Sequence, residues 1–147
     1  MKRNSKMSKI AEKSVGLAFE LFPETYEKRK KSQSFHFSFL FKKNNLISIG
    51  QNDTTKESAK ALFFAKRYNL SKQKRFPFIH AEIDAVSKAF GKTYIDSSFS
   101  LVSLRVSKGL ILRNAKPCNN CSSVLRALNI YNIYYSDNRG NIVKDLI

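Results

Sequence analysis

The sequence predicts an α/β fold: a three-layer α/β/α sandwich around a mixed five-stranded sheet whose last two strands form an antiparallel hairpin. Three observations predict it. Apolar periodicity changes along the chain in the order helix, strand, strand, an insert, helix, strand, helix, strand, strand. A helix between two strongly apolar strands implies a right-handed crossover and a sheet with helices on both faces. The 147 residues show no internal repeat and no linker, so residues 1–147 suit a single domain with a proper core.

The elements follow in order. From about Met7 to Phe22, Ile10, Val15, Leu17, Ala18, Leu21 and Phe22 form a helical apolar stripe, which Pro23 should end. Phe35 to Phe41 alternates strictly. Phe35, Phe37, Phe39 and Phe41 take one face, and His36, Ser38, Leu40 and Lys42 the other, as in a half-buried strand. His36 reads there as a surface or edge histidine. Lys43, Asn44 and Asn45 make a turn into a second strand, Leu46 to Gly50. Asp53 to Ser58 is polar and turn-like, and Ser58 to Tyr68 has helical spacing. A helix from about His80 to Phe90 buries Ile83, Val86 and Phe90, and Gly91 is a natural stop. Ser98 to Val106 is apolar with little alternation, which fits a central strand covered on both faces. Lys108 and Gly109 turn, and Leu110 to Leu112 either extends that strand or begins the next piece. A helix from about Pro117 to Leu128 starts with proline where the missing N–H costs little. Tyr131 to Tyr135 and Ile142 to Ile147 are the last strands, joined by a turn at Ser136 to Gly140.

Composition narrows the functional classes. No stretch approaches 18 consecutive apolar residues, which excludes a helical membrane span as a partner of the bilayer. The basic segment from Met1 to Lys9 is followed by no apolar h-region, so no secretory signal is read. Both cysteines lie in one C-x-x-C, which rules out a disulfide framework and suits a reducing, cytoplasmic setting. Lys and Arg number 27 against 11 Asp and Glu, and the excess is lopsided: residues 1–75 carry net +12 and residues 76–147 net +4. A phosphate-bearing partner, from nucleotide to nucleic acid, fits that asymmetry, although a basic surface can also be simply well solvated. Lys28, Arg29, Lys30 and Lys31, with Lys72, Lys74 and Arg75, are candidate phosphate contacts or else solvated loop residues.

Two short clusters carry the chemistry. His80 and Glu82 form an H-x-E, and Pro117, Cys118 and Cys121 a P-C-x-x-C. One His and two Cys are three ligands suited to zinc, and three protein ligands leave a tetrahedral ion an open position. Residues two apart face opposite ways inside a helix, but at an open first turn His80 and Glu82 can flank the same ion. Cys118 and Cys121, three apart, share one face of a first turn. Both groups would therefore sit at helix N-termini, whose partial positive charge favours thiolate over thiol. Glu82 would be a proton shuttle beside a zinc that brings bound water to a pKa of about 7. A redox C-x-x-C and a purely structural zinc with an incidental Glu82 are the competing readings.

At these residues the chain resembles the cytidine deaminase-like superfamily of zinc-dependent nucleobase deaminases, in element order over nearly its whole length. The resemblance implies one zinc per chain held by His80, Cys118 and Cys121, with Glu82 as acid/base. It implies that the Ala81 backbone contacts the pyrimidine carbonyl and the backbone near Ala115 accepts from the exocyclic amine. Asn52 looks like the family's sugar-contacting asparagine, or else is a plain turn asparagine, and Thr54 stands where nucleoside deaminases often have Glu. The hairpin after Tyr135 is similar to the branch without a helix between the last two strands. That branch includes nucleoside deaminases and nucleic-acid and toxin-type deaminases. Tyr135 is then a candidate stacking residue, or a plain rim tyrosine.

The function these readings imply is conversion of cytosine to uracil, in single-stranded DNA or RNA ahead of free cytidine or deoxycytidine nucleosides or nucleotides such as dCMP. The second class is a non-catalytic, zinc-containing nucleic-acid-binding protein.

Overall fold

The computed structural model describes residues 5–28, 34–57, 59–67 and 78–145. Helix α1 (Ser5–Lys28) is followed by β1 (Ser34–Lys42), β2 (Asn45–Gln51), β3 (Asp53–Glu57) and α2 (Ala59–Arg67). Then come β4 (Phe78–Ile79), α3 (Ala81–Ala89), β5 (Phe99–Ser107), β6 (Ile111–Arg113), α4 (Asn119–Ala127), β7 (Asn132–Ser136) and β8 (Ile142–Lys144).

The main sheet runs β2-β1-β5-β7-β8, the five strands expected. It is mixed: β5 and β7 are parallel, and the other pairs along this path are antiparallel. The last two strands form the expected antiparallel hairpin. A short sixth strand joins them. After a turn in which Gly109 and Leu110 both have positive φ, β6 pairs Ile111 to Arg113 with Ser107 to Arg105. β1 pairs with the whole length of β5 and β7 stops at Ser103, so β6 takes the β7 side of β5 beyond the end of β7. Asp53 to Glu57, expected as a turn, instead forms a two-stranded ribbon with β4.

Strand alternation sorts the core into two layers. Phe35, Phe37, Phe39 and Phe41 of β1, with Val102, Leu104 and Val106 of β5, meet Ile10, Ala18 and Phe22 of α1. Leu40, Leu101 and Ile133 point the other way, into a cluster with Ile83, Val86, Val124 and Leu125 of α3 and α4. Each buried Phe or Leu contributes about 1.5–3 kcal/mol.

Two expectations fail here for tertiary reasons. Helix α1 does not stop at Pro23; it continues to Lys28. The Thr25 hydroxyl donates to the Leu21 carbonyl at 2.9 Å. Phe22 and Tyr26 pack on Phe35 with ring centroids 5.7 and 6.5 Å away. Packing against the sheet thus outweighs the lost proline hydrogen bond. Strand β1 is not half-buried either: Phe35 to Phe41 is buried on both faces, His36 and Ser38 included. The layer of α3 and α4 covers what the pattern alone assigns to solvent.

Helix α3 lies close on β2. A Cβ at Gly50 would overlap the Ala81 carbonyl and the Ala85 amide, so only glycine admits this approach. Ser48 donates to the Ala85 carbonyl at 2.7 Å, and Asp84 accepts from the Gln51 amide at 3.0 Å. These contacts fix the N-terminus of α3, where the first cluster sits.

Candidate active site

His80 is the N-cap of α3, with extended φ and ψ of −88° and 152°, and its carbonyl accepts the first helical bond from Asp84 at 2.9 Å. Cys118 is the N-cap of α4, and its sulfur accepts from the Cys121 amide at 3.4 Å. The two helix starts converge. His80 Nδ1 is 3.3 Å from Cys121 Sγ and 3.6 Å from Cys118 Sγ, and the three ligand atoms all lie within 4.8 Å of one another. A tetrahedral zinc with bonds of about 2.3 Å to sulfur and 2.0–2.1 Å to nitrogen holds such ligands roughly 3.6 Å apart. The spacing fits, and so does the donor set: His80, Cys118 and Cys121 are positioned to hold one zinc ion.

The electrostatics agree with a metal centre. Hydrogen bonding from Cys121 pushes the Cys118 thiol down to about 4 against its burial, with His80 and the Cys121 amide helping. Hydrogen bonding with Cys118 and burial push the Cys121 thiol up. A bound cation would favour the thiolate form of both sulfurs. Glu82 is in the first turn of α3 and almost fully buried. Burial raises its carboxyl to about 7, opposed by its own amide, His80 and Arg105. Its Oε1 is buried without a hydrogen-bond partner.

The strand pattern reads His36 as an edge residue; the structure buries it beside this carboxyl. His36 Nε2 is 2.6 Å from Ser103 Oγ and 3.4 Å from Glu82 Oε1. Ser38 Oγ lies 2.9 Å from the same Ser103 Oγ. Burial first, then Arg105 and His80, lower the His36 pKa to about 3, so the imidazole is neutral and the contact with Glu82 is not an ion pair. Arg105 is the cross-strand partner of His36, and its Nε is buried without a hydrogen-bond partner. Cross-strand register, invisible in single-strand periodicity, is the signal that joins His36, Ser103 and Arg105.

The other expected site residues divide. Asn52 follows β2 and clamps its backbone and side chain to β1: its Oδ1 accepts from the His36 amide at 3.1 Å, and its own amide donates to the His36 carbonyl at 3.3 Å. Ala81 is the first residue of α3 and is buried. Ala115 is buried, and its amide donates to the Ser136 carbonyl at 2.8 Å. Ser136 also donates to the Arg113 carbonyl at 2.6 Å and accepts from the Arg105 amide at 3.3 Å, pinning the segment that leads to Cys118. Tyr135 pairs in register with Ser103, on the sheet face of α3 and α4. Lys28 is the last residue of α1. Arg29, Lys30, Lys31, Lys72, Lys74 and Arg75 lie outside the described residues.

A mixed sheet between helical layers, with a His–Cys–Cys metal site and a buried carboxyl at two converging helix starts, defines a zinc-dependent deaminase domain. Residues 11–137 match the family model described as the cytidine and deoxycytidylate deaminase zinc-binding region, and the chain belongs to that family. No curated protein and no solved structure gives a significant match. No helix among the described residues is long and apolar enough to cross a membrane.

Proposed function

We propose that the protein is a hydrolytic deaminase that converts cytosine to uracil in a phosphate-bearing substrate, single-stranded DNA or RNA ahead of a free nucleotide. The observation that carries this reading is the convergence of His80, Cys118 and Cys121 ligand atoms within 4.8 Å, with the Glu82 carboxyl at the same helix start. Zinc at such a site supplies the Lewis acidity that makes water nucleophilic at neutral pH. Glu82 would carry one proton of the attacking water to the ring nitrogen and then the remaining hydroxyl proton to the departing amine. A C4–O bond forms, the C4–N bond breaks, and ammonia leaves. A carboxyl raised to about 7 is suited to both halves of that transfer. The Ala81 amide, at the open first turn of α3, donates to the pyrimidine carbonyl, and the Ala115 carbonyl accepts from the exocyclic amine. Tyr135 stacks on the base. Asn52, whose Oδ1 accepts from the His36 amide, is the residue assigned to the sugar.

Phosphate preference rests on the net charge of +16 and on Arg105, whose buried Nε has no partner and whose charge acts on both Glu82 and His36. Lys28 to Lys31 and Lys72 to Arg75 are the candidate polynucleotide contacts in the sequence. Residues 1–147 act as one domain in a reducing, intracellular compartment, where both thiols remain available to the metal.

The test is direct. Pure zinc-loaded protein is incubated with dCMP, cytidine, a single-stranded oligodeoxynucleotide and an oligoribonucleotide, and C-to-U conversion is followed. Conversion of an oligonucleotide, weakening steeply with salt, is expected. Preference for dCMP or cytidine moves the substrate to the free nucleotide or nucleoside. Nucleic-acid binding with no conversion of any of the four leaves the non-catalytic zinc protein.

A further inference from the structure

We propose that His36 is a positioning residue for Glu82, holding the carboxylate through an Nε2–H donor that it shares with Ser103; this rests on the deaminase reading of the site. Three geometric facts lead to it. His36 Nε2 faces two oxygens, Ser103 Oγ at 2.6 Å and Glu82 Oε1 at 3.4 Å. Glu82 Oε1 is buried and has no hydrogen-bond partner. The three residues lie on elements that cannot drift apart: β1 and β5 are paired over the whole length of both, and α3 is locked to β2 through Gly50, Ser48 and Asp84.

The tautomer follows from donor counting. With Glu82 as the carboxylate that acts as base, an Nε2 without hydrogen would face a carboxylate lone pair at 3.4 Å, and the buried Oε1 would have no donor. With the hydrogen on Nε2, the imidazole serves both oxygens, and the Ser103 hydroxyl hydrogen remains free to go to Ser38 Oγ at 2.9 Å. At 3.4 Å the contact is long, as one branch of a donor shared between two oxygens is. His36 thus does to Glu82 what an orienting group does to a general base: it fixes one oxygen so that the other is aimed at the reacting atoms.

The experiment compares His36→Leu, which keeps bulk and removes the donor, with His36→Gln, whose amide nitrogen reaches the place of Nε2. Zinc content and thermal midpoint are measured on both, and kcat and KM on whichever of the four cytosine probes the wild type converts. Expected are one zinc per chain in both variants, a fall in kcat on the order of 10²-fold in His36→Leu with KM within about twofold, and recovery of about tenfold in His36→Gln. A His36→Leu protein that loses thermal stability but keeps wild-type kcat overturns the proposal, because that is what a merely structural histidine would do.

A second measurement does not use activity. The chain has two histidines, so long-range 1H–15N spectra of the zinc-loaded protein resolve both rings. A neutral Nε2–H tautomer of His36 whose Nε2 resonance moves in Glu82→Gln is expected. An Nδ1–H tautomer, or an Nε2 resonance indifferent to Glu82→Gln, overturns it. If the wild type converts no probe, the deaminase reading fails, and these spectra still decide whether His36 holds Glu82.

Discussion

The two faces of the central strands are built from the same pleat to opposite ends. Against α1, β1 and β5 present Phe35, Phe37, Phe39, Phe41, Val102, Leu104 and Val106, an unbroken apolar layer. Against α3 and α4 the alternate positions begin apolar at Leu40 and Leu101 and turn polar toward the end of β5, with Ser38, His36, Ser103 and Arg105. That end is where the two metal-bearing helices start. One face spends its burial on stability. The other gives up part of it to keep four polar side chains beside a carboxylate and a metal. The difference teaches where to look for chemistry in a sandwich of this kind: at the stretch of a central strand that is covered and still polar.

The comparison can be broken from either side. The largest effect on stability belongs to the α1 face. Phe37→Ala, at a fully buried ring, should cost about 3–5 kcal/mol in a urea titration, while kcat per folded molecule stays near wild type. Equal loss of kcat in the folded fraction would mean that the faces are not separable. Gly50→Ala strikes the other face. Its Cβ forces α3 off β2, so a smaller loss of about 1–3 kcal/mol should come with disproportionate loss of zinc affinity and activity. Unchanged metal content would show that this approach is not what sets the site.

Acid sharpens the comparison further. His36 titrates near 6.5 when unfolded and near 3 when folded, so between those pH values the unfolded chain binds the extra proton. The buried neutral imidazole therefore contributes stability that is fully present above about 6.5 and is lost as pH falls toward 3, by at most about 1.4 kcal/mol per pH unit. His36→Leu should flatten the stability profile in that window relative to wild type, as read from urea midpoints at successive pH values. Parallel profiles would place the histidine in a less enclosed environment.

How much of this is legible in the sequence depends on the range over which each signal acts. His80 with Glu82, and Cys118 with Cys121, are local patterns in a chain with two histidines and two cysteines, so spacing and helix-start geometry suffice. The five main strands and the closing hairpin follow from periodicity for the same reason. Pro23 misleads because the proline rule is local, whereas Thr25, Phe22 and Tyr26 hold the last turns of α1 to the sheet. The ribbon of β3 with β4 and the short β6 escape because three to five polar or mixed residues carry no usable period. His36 escapes most completely. Its significance lies in register with Arg105, in a diagonal contact with Ser103 and in the reach of Glu82 from a different layer, and no strand pattern encodes these.

The central claim is that Glu82 carries protons beside a His80–Cys118–Cys121 zinc. Its most direct test is ammonia release and C-to-U conversion by zinc-loaded wild type against zinc-loaded Glu82→Ala, with metal content and thermal midpoint measured on both. The account predicts one zinc per chain and intact folding in the variant, with conversion reduced on the order of 10³-fold or more. Conversion by Glu82→Ala at the wild-type rate would contradict it.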